Sequence, residues 1–193
     1  MRKDVKIGLV TSNENKFIEL KEIARKFNIE LELLKGEKVE IQSNNLEEIS
    51  KTSAYLAYLT FKQPLIVDDS GLFIEALNNF PGPYTSYVKN TIGLKGILKL
   101  LEGVKNRSAY FVTVLTFIDG KTIRTFEGRI KGVISEEMRG NFGFGFDPIF
   151  IPEGESRTFA EMTLEEKNKY SHRSKAFAKF ADFLNSYLEN IES

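Results

Sequence analysis

The 193-residue chain is 41% hydrophobic, with 16 Phe and 7 Tyr, and its 27 Lys+Arg balance 27 Asp+Glu to a formal net charge of zero. That length suits one domain with a substantial core, and the balanced charge argues against the broad basic face of an extended nucleic-acid interface. The absence of cysteine and the presence of one histidine, His172, rule out disulfides, thiolate zinc sites, a cysteine nucleophile and any multi-histidine metal cluster. Residues 1–4 are charged, but the apolar run after them is too short for a secretory leader, and no apolar stretch approaches membrane-spanning length. The expectation is a soluble, cytoplasmic protein forming a single domain over residues 1–193, with no nucleic-acid or membrane partner.

Lys6 to Val10 reads as a short apolar strand, followed by the polar turn Thr11-Ser12-Asn13-Glu14-Asn15-Lys16. Phe17, Leu20, Ile23, Ala24 and Phe27 then share one helical face. Thr11, Ser12 and Asn13 are N-cap candidates, and the amides of a helix N-terminus attract anions. Lys16 falls in the first helical turn, where the dipole favours an acid, so a cation there suits a phosphate contact. Ordinary capping beside a solvated lysine is the plainer alternative.

Glu30 to Leu34 predicts a second strand, Gly36 to Asn45 a polar loop containing Glu40, and Leu46 onward a second amphipathic helix ended by Gln63-Pro64. Leu65-Ile66-Val67-Asp68-Asp69-Ser70-Gly71 reads as a buried strand closing in a sharp turn, with two acids at its C-terminal mouth, the edge where α/β proteins collect ligands. Adjacent carboxylates repel unless a cation intervenes, and a hard ion such as Mg²⁺ suits them. This β-α-β-α-β opening predicts an α/β protein with parallel early strands.

Phe80-Pro81-Gly82-Pro83-Tyr84 reads as a rigid loop, and Gly93 to about Leu101 as a helix. Ala109–Ile118 and Lys121–Ile134 flank Asp119-Gly120, a strong hairpin signal, so the sheet should be mixed. Asn141 to Phe150 is glycine-spaced and aromatic, suited to a flat ligand or to core packing. Phe177, Phe180, Leu184, Tyr187 and Leu188 lie at the spacing of a last helix that docks on the core.

The ordered motifs T-S-N-x-x-K, D-D-S-G, F-P-G-x-Y, G-F-G-F-D-P-x-F and F-A-E-M…E-K-N-x-x-S-H-R together resemble the inosine triphosphate pyrophosphatase (Ham1-like) family, across nearly the whole chain. The resemblance implies an α/β fold: a long mixed β-sheet flanked by helices, in two lobes with a central nucleotide-binding cleft. It implies a homodimeric, Mg²⁺-dependent enzyme that hydrolyses ITP, dITP and XTP to the monophosphate and pyrophosphate. By matching motif, Thr11, Ser12, Asn13, Glu14, Asn15 and Lys16 would hold the triphosphate. Asp69 would be general base and metal ligand with Glu40, while Asp68 supports and Ser70 contacts substrate. Phe144 would stack on the purine beside Gly145, Phe146 and Asp147, and Lys167, Ser171, His172 and Arg173 would recognise base and phosphate.

The lysine that many bacterial members carry in the second helix has no clear counterpart; Lys51 is the one nearby candidate and is left out of the site. Two alternatives stay open: a Maf-like nucleotide pyrophosphatase of the same architecture, and a non-catalytic purine-nucleotide-binding module. Retention of both Glu40 and Asp69 argues against the module.

Overall fold

Val5–Val10 forms β1, whose last four residues are buried, and Asn13 then starts helix α1, Glu14–Arg25, by accepting the Lys16 amide on its side chain. The coordinates are a computed structural model that describes residues 5–36 and 38–192; residues 1–4, read for a secretory leader, lie outside them. Strand β2 is Ile29–Leu34, and α2 is Leu46–Phe61, capped by the Asn45 side chain and stopped at Lys62 in a left-handed conformation before Pro64. Strand β3 is Leu65–Ile74, β4 is Phe80–Gly82, and two short helices follow, α3 at Thr85–Thr91 and α4 at Gly93–Leu100. The long strands β5, Ser108–Ile118, and β6, Ile123–Ile134, meet at the turn where the Asp119 amide donates to Thr122 O. Strand β7 is Phe150–Pro152, α5 is Leu164–Lys167 with a Thr163–Glu166 capping box, and α6 is His172–Glu192.

One seven-stranded sheet results, ordered β2-β1-β3-β5-β6-β7 with β4 beside β3. The first three strands are parallel, Val5 pairing with Ile29 and Val10 with both Leu34 and Val67. The β3–β4 and β6–β7 pairs are antiparallel, so the sheet is mixed, as the alternating patterns required. Among the described residues no helix is long and apolar enough to cross a membrane.

Internal contacts group the chain into two units: Met1–Asp69 with Thr113–Gly128 and Arg173–Ser193, and Ser70–Val112 with Arg129–His172. In the first, Ile7, Leu9 and Ile66 of the sheet pack with Leu20 and Ile23 of α1 and Phe177 and Phe180 of α6. Leu65 and Val67 point the other way, onto Ala54 and Ala57 of α2, because successive strand residues face opposite sides. In the second, Phe111, Phe150 and Phe159 form an aromatic centre, with Phe111 and Phe150 edge-on at 4.7 Å.

Two local expectations fail in one place. No turn closes the strand after Asp68-Asp69: β3 runs on to Ile74, and the supposed loop at Phe80 contains β4, its partner. Gly71 permits this, since a Cβ there would meet Gly82 O at 2.6 Å and the Phe73 ring at 2.9 Å. Gly71→Ala should therefore lower stability by about 1–3 kcal/mol through overpacking, read as a fall in urea midpoint at unchanged m-value. An unchanged midpoint would show that the β3–β4 pair yields freely.

Candidate active site

Strand β1 stops pairing with β3 at Val10–Val67, so the two acids lie just past the C-terminal end of the parallel ladder although their own strand continues. Extended backbone sends their side chains to opposite faces. Asp68 shares the face of Ile66, toward α1 and α6; Asp69 shares that of Leu65 and Val67, toward α2.

On the first face lies a buried chain of charges. Lys16 Nζ pairs with Asp68 Oδ1 at 2.7 Å, Arg173 Nε with Asp68 Oδ2 at 3.2 Å, and Arg173 Nη1 with Glu19 Oε2 at 3.1 Å. Burial alone would raise the Asp68 carboxyl, but Arg173 and Lys16 outweigh it and hold it well below the usual carboxylate range. Asp68 is thus a fixed anion that orients two cations.

On the second face the loop after β2 delivers Lys38 and Glu40. Ser53 Oγ of α2 donates to Val39 O at 2.6 Å and pins the loop backbone. Lys38 Nζ donates to Glu40 Oε1 at 2.8 Å, to the Asp68 carbonyl at 3.1 Å and to Asp69 Oδ1. Lys16 Nζ reaches the same carbonyl at 3.4 Å, so two ammonium groups and two carboxylates crowd around one short stretch of strand. Burial pulls the Lys38 ammonium down, but Asp69 and Glu40 overcome it and leave it raised. Burial pushes Glu40 up, but Lys38 brings it below its ordinary value. For Asp69 burial wins over Lys38 and Lys16, and its carboxyl titrates above the usual range. Its Oδ2 is buried and, among the described residues, receives no hydrogen bond.

The T-S-N-E-N-K turn does what its composition predicts. Thr11 Oγ1 accepts the Asn13 amide and Asn13 Oδ1 the Lys16 amide. Thr11, Ser12, Asn13 and Glu14, with Leu33, Lys35 and Gly36, line a cavity of about 250 Å³. Asn15 and Ser12 are exposed. Lys51 pairs with Glu47 one helical turn away on the exposed face of α2 at 2.6 Å.

The second unit holds its own group. Lys167 Nζ donates to Asp147 Oδ2 at 2.8 Å, and the Phe144 amide donates to the same oxygen at 2.9 Å. Gly143 makes room: its φ is +71° and a Cβ would fall 2.2 Å from Asp147 Oδ2. The ammonium lies over the Phe144 ring at 5.0 Å, a cation–π contact that holds the ring. Phe144 and Gly145 are half-buried, whereas Phe146 is buried in the aromatic core. His172 stacks on Phe111 at 4.7 Å and 10°, and Ser171 is fully buried beside it in sequence. Ser70 is half-buried.

The sequence matches the Ham1 family model over residues 7–183. The chain belongs to the Ham1 family. A protein named dITP/XTP pyrophosphatase from Saccharolobus solfataricus is 76% identical over 189 residues, covering 98% of each chain. Another of that name from Hyperthermus butylicus is 48% identical, covering 94% of this chain and 95% of its own. Among solved structures, a HAM1 protein from Coxiella burnetii superposes with TM-score 0.82 at 29% identity, over 94% of this chain and 99% of that one. A nucleoside-triphosphatase / dITP/XTP pyrophosphatase from Mycobacterium abscessus gives TM-score 0.71 at 31% identity, over 91% and 98%.

Two charged residues of this Ham1 chain escaped the sequence motifs. Glu19 carried a faint signal, being an acid beside Leu20 on the stripe that α1 buries; Lys38 carried none beyond standing two residues before Glu40. Glu19→Gln leaves the buried Arg173 charge with one partner fewer, and should cost about 3 kcal/mol of unfolding free energy. Urea titration measures it, and a loss below about 0.5 kcal/mol, the range of neutral surface changes, would remove Glu19 from the network.

Proposed function

We propose that this Ham1-family chain hydrolyses ITP, dITP and XTP to the nucleoside monophosphate and pyrophosphate, and so clears deaminated purines from the cytoplasmic nucleotide pool. The observation that carries the proposal is the convergence of Glu40, Asp69, Lys16 and Lys38 beyond the end of the β1–β3 ladder. Relatives that carry the name dITP/XTP pyrophosphatase support it.

The donor set fits Mg²⁺. Glu40 and Asp69 present hard oxygens to one cationic position, and among the described residues the buried Asp69 Oδ2 has no donor. Mg²⁺ is commonly held by one or two carboxylates and completed by phosphate oxygens and water, and Glu40 and Asp69 would supply that pair. When bound, Mg²⁺ would neutralise phosphate charge and acidify a nearby water.

In the proposed reaction a water oxygen bonds to the α-phosphorus, the bond from that phosphorus to the αβ-bridging oxygen breaks, and pyrophosphate leaves in line. Asp69 takes the water's proton. Burial raises its carboxyl above the ordinary aspartate value, and a base in this role must lie within hydrogen-bond reach of the attacking water. Lys16 and the N-terminus of α1, with Thr11, Ser12, Asn13, Glu14 and Asn15, would hold the phosphates. Phe144, kept in place by Lys167 and backed by Gly145, Phe146 and Asp147, would stack on the purine, and Ser70, Ser171, His172 and Arg173 would complete substrate recognition. Donors to the oxygen at purine position 6 accept hypoxanthine and xanthine and meet adenine's amino group donor to donor. The chain would work as a homodimer; Tyr84, Tyr87 and Ile92, with Tyr87 70% exposed, offer apolar surface for a second copy.

Pyrophosphate release should require Mg²⁺, and kcat/KM for ATP should fall below that for ITP by roughly a hundredfold or more. In ¹⁸O-water the label should enter the monophosphate. Equal use of ATP, or label in the pyrophosphate, would contradict the reading.

A further inference from the structure

Lys38 stands where the proposed metal must bind. Its ammonium has three protons to donate, and the structure gives it three acceptors: Glu40 Oε1, Asp69 Oδ1 and the Asp68 carbonyl. Its side chain is only 9% exposed. Two of those acceptors are the two carboxylates assigned to the divalent ion. Held on the same Glu40 and Asp69 oxygens, an ammonium and a divalent cation would stand at contact distance, where like charges repel strongly in a partly buried setting. The loop backbone that carries Lys38 is held by the Ser53–Val39 hydrogen bond, while its flexible four-carbon stem leaves the ammonium free to swing without moving the loop.

We propose that Lys38 and the divalent cation occupy the Glu40–Asp69 pair in mutual exclusion, so that metal enters only as the Lys38 ammonium swings out. Lys38 then serves as a tethered competitor: it keeps two acids compatible at close range and lowers the affinity of the pair for free metal. A nucleotide polyphosphate offers the displaced ammonium a new anionic partner, which couples metal uptake to substrate arrival. The proposal rests on the assignment of the metal to Glu40 and Asp69.

The test is Mn²⁺ binding to the whole protein without nucleotide, followed by calorimetry and by the electron paramagnetic resonance of free Mn²⁺, in wild type, Lys38→Met, Lys38→Gln and Asp69→Asn. A pair that Lys38 occupies nine-tenths of the time binds metal about tenfold more weakly than the same pair without it. Lys38→Met and Lys38→Gln should therefore both bind Mn²⁺ roughly tenfold more tightly than wild type. Adding Asp69→Asn to either should abolish the gain. Circular dichroism verifies that each variant is folded, and two neutral side chains of different polarity guard against one packing defect. Unchanged or weaker Mn²⁺ binding in both Lys38 variants, with binding still sensitive to Asp69→Asn, would overturn the competition while leaving the metal assignment standing. Binding insensitive to Asp69→Asn in every background would overturn the assignment itself, and the competition with it.

Discussion

A carboxylate with no exposed side-chain surface, that of Asp68, sets the terms for the first of the two units of this molecule. An unpaired charge in that position would cost several kcal/mol, so cations must come to it. Lys16 arrives from the first turn of α1 and Arg173 from the start of α6, with Glu19 balancing Arg173 from behind. The pairings tie α1, β3 and α6 together at one point of the first unit. They also anchor the first turn of α1, which Asn13 caps.

The same constraint separates two acids that look equivalent in the sequence. Because β3 continues through them, Asp68 and Asp69 project to opposite faces. Asp68 is surrounded by cations and stays ionised; Asp69 meets one ammonium in a buried setting and is shifted upward. A turn at this point would have left their directions unconstrained. Strand continuation is what sends one acid into the Lys16–Arg173 charge network and the other toward Lys38 and Glu40, and Gly71 makes that continuation possible through its close approach to Gly82.

Much of this was legible in the residues. The strand–cap–helix opening at Val5–Arg25, the Asp119-Gly120 hairpin and the apolar stripe of α6 all announce themselves through local chemistry and periodicity. What stayed hidden depends on distant partners. The turn expected at Ser70-Gly71 disappears because β4 supplies a partner strand that Phe80-Pro81-Gly82, read as a rigid loop, gave no sign of being. Glu19 acquires its role from Arg173, 154 residues away, and Lys38 from Asp69, 31 residues away. Phe146 belongs to an aromatic stretch whose residues alone favour core packing over stacking, and the tertiary structure places it in the core.

The division of labour between the adjacent acids is the central claim, and paired measurement of turnover and unfolding free energy in Asp68→Asn and Asp69→Asn tests it most directly. Asp69→Asn should lose at least about a hundredfold in kcat, the scale of a general base, while remaining as stable as wild type or more so, since a buried carboxyl lacking a full set of donors is removed. Asp68→Asn should lose about 3 kcal/mol of stability as Arg173 and Lys16 forfeit their shared anion. Near-normal turnover in Asp69→Asn, or an Asp68→Asn protein as stable as wild type, would contradict the account.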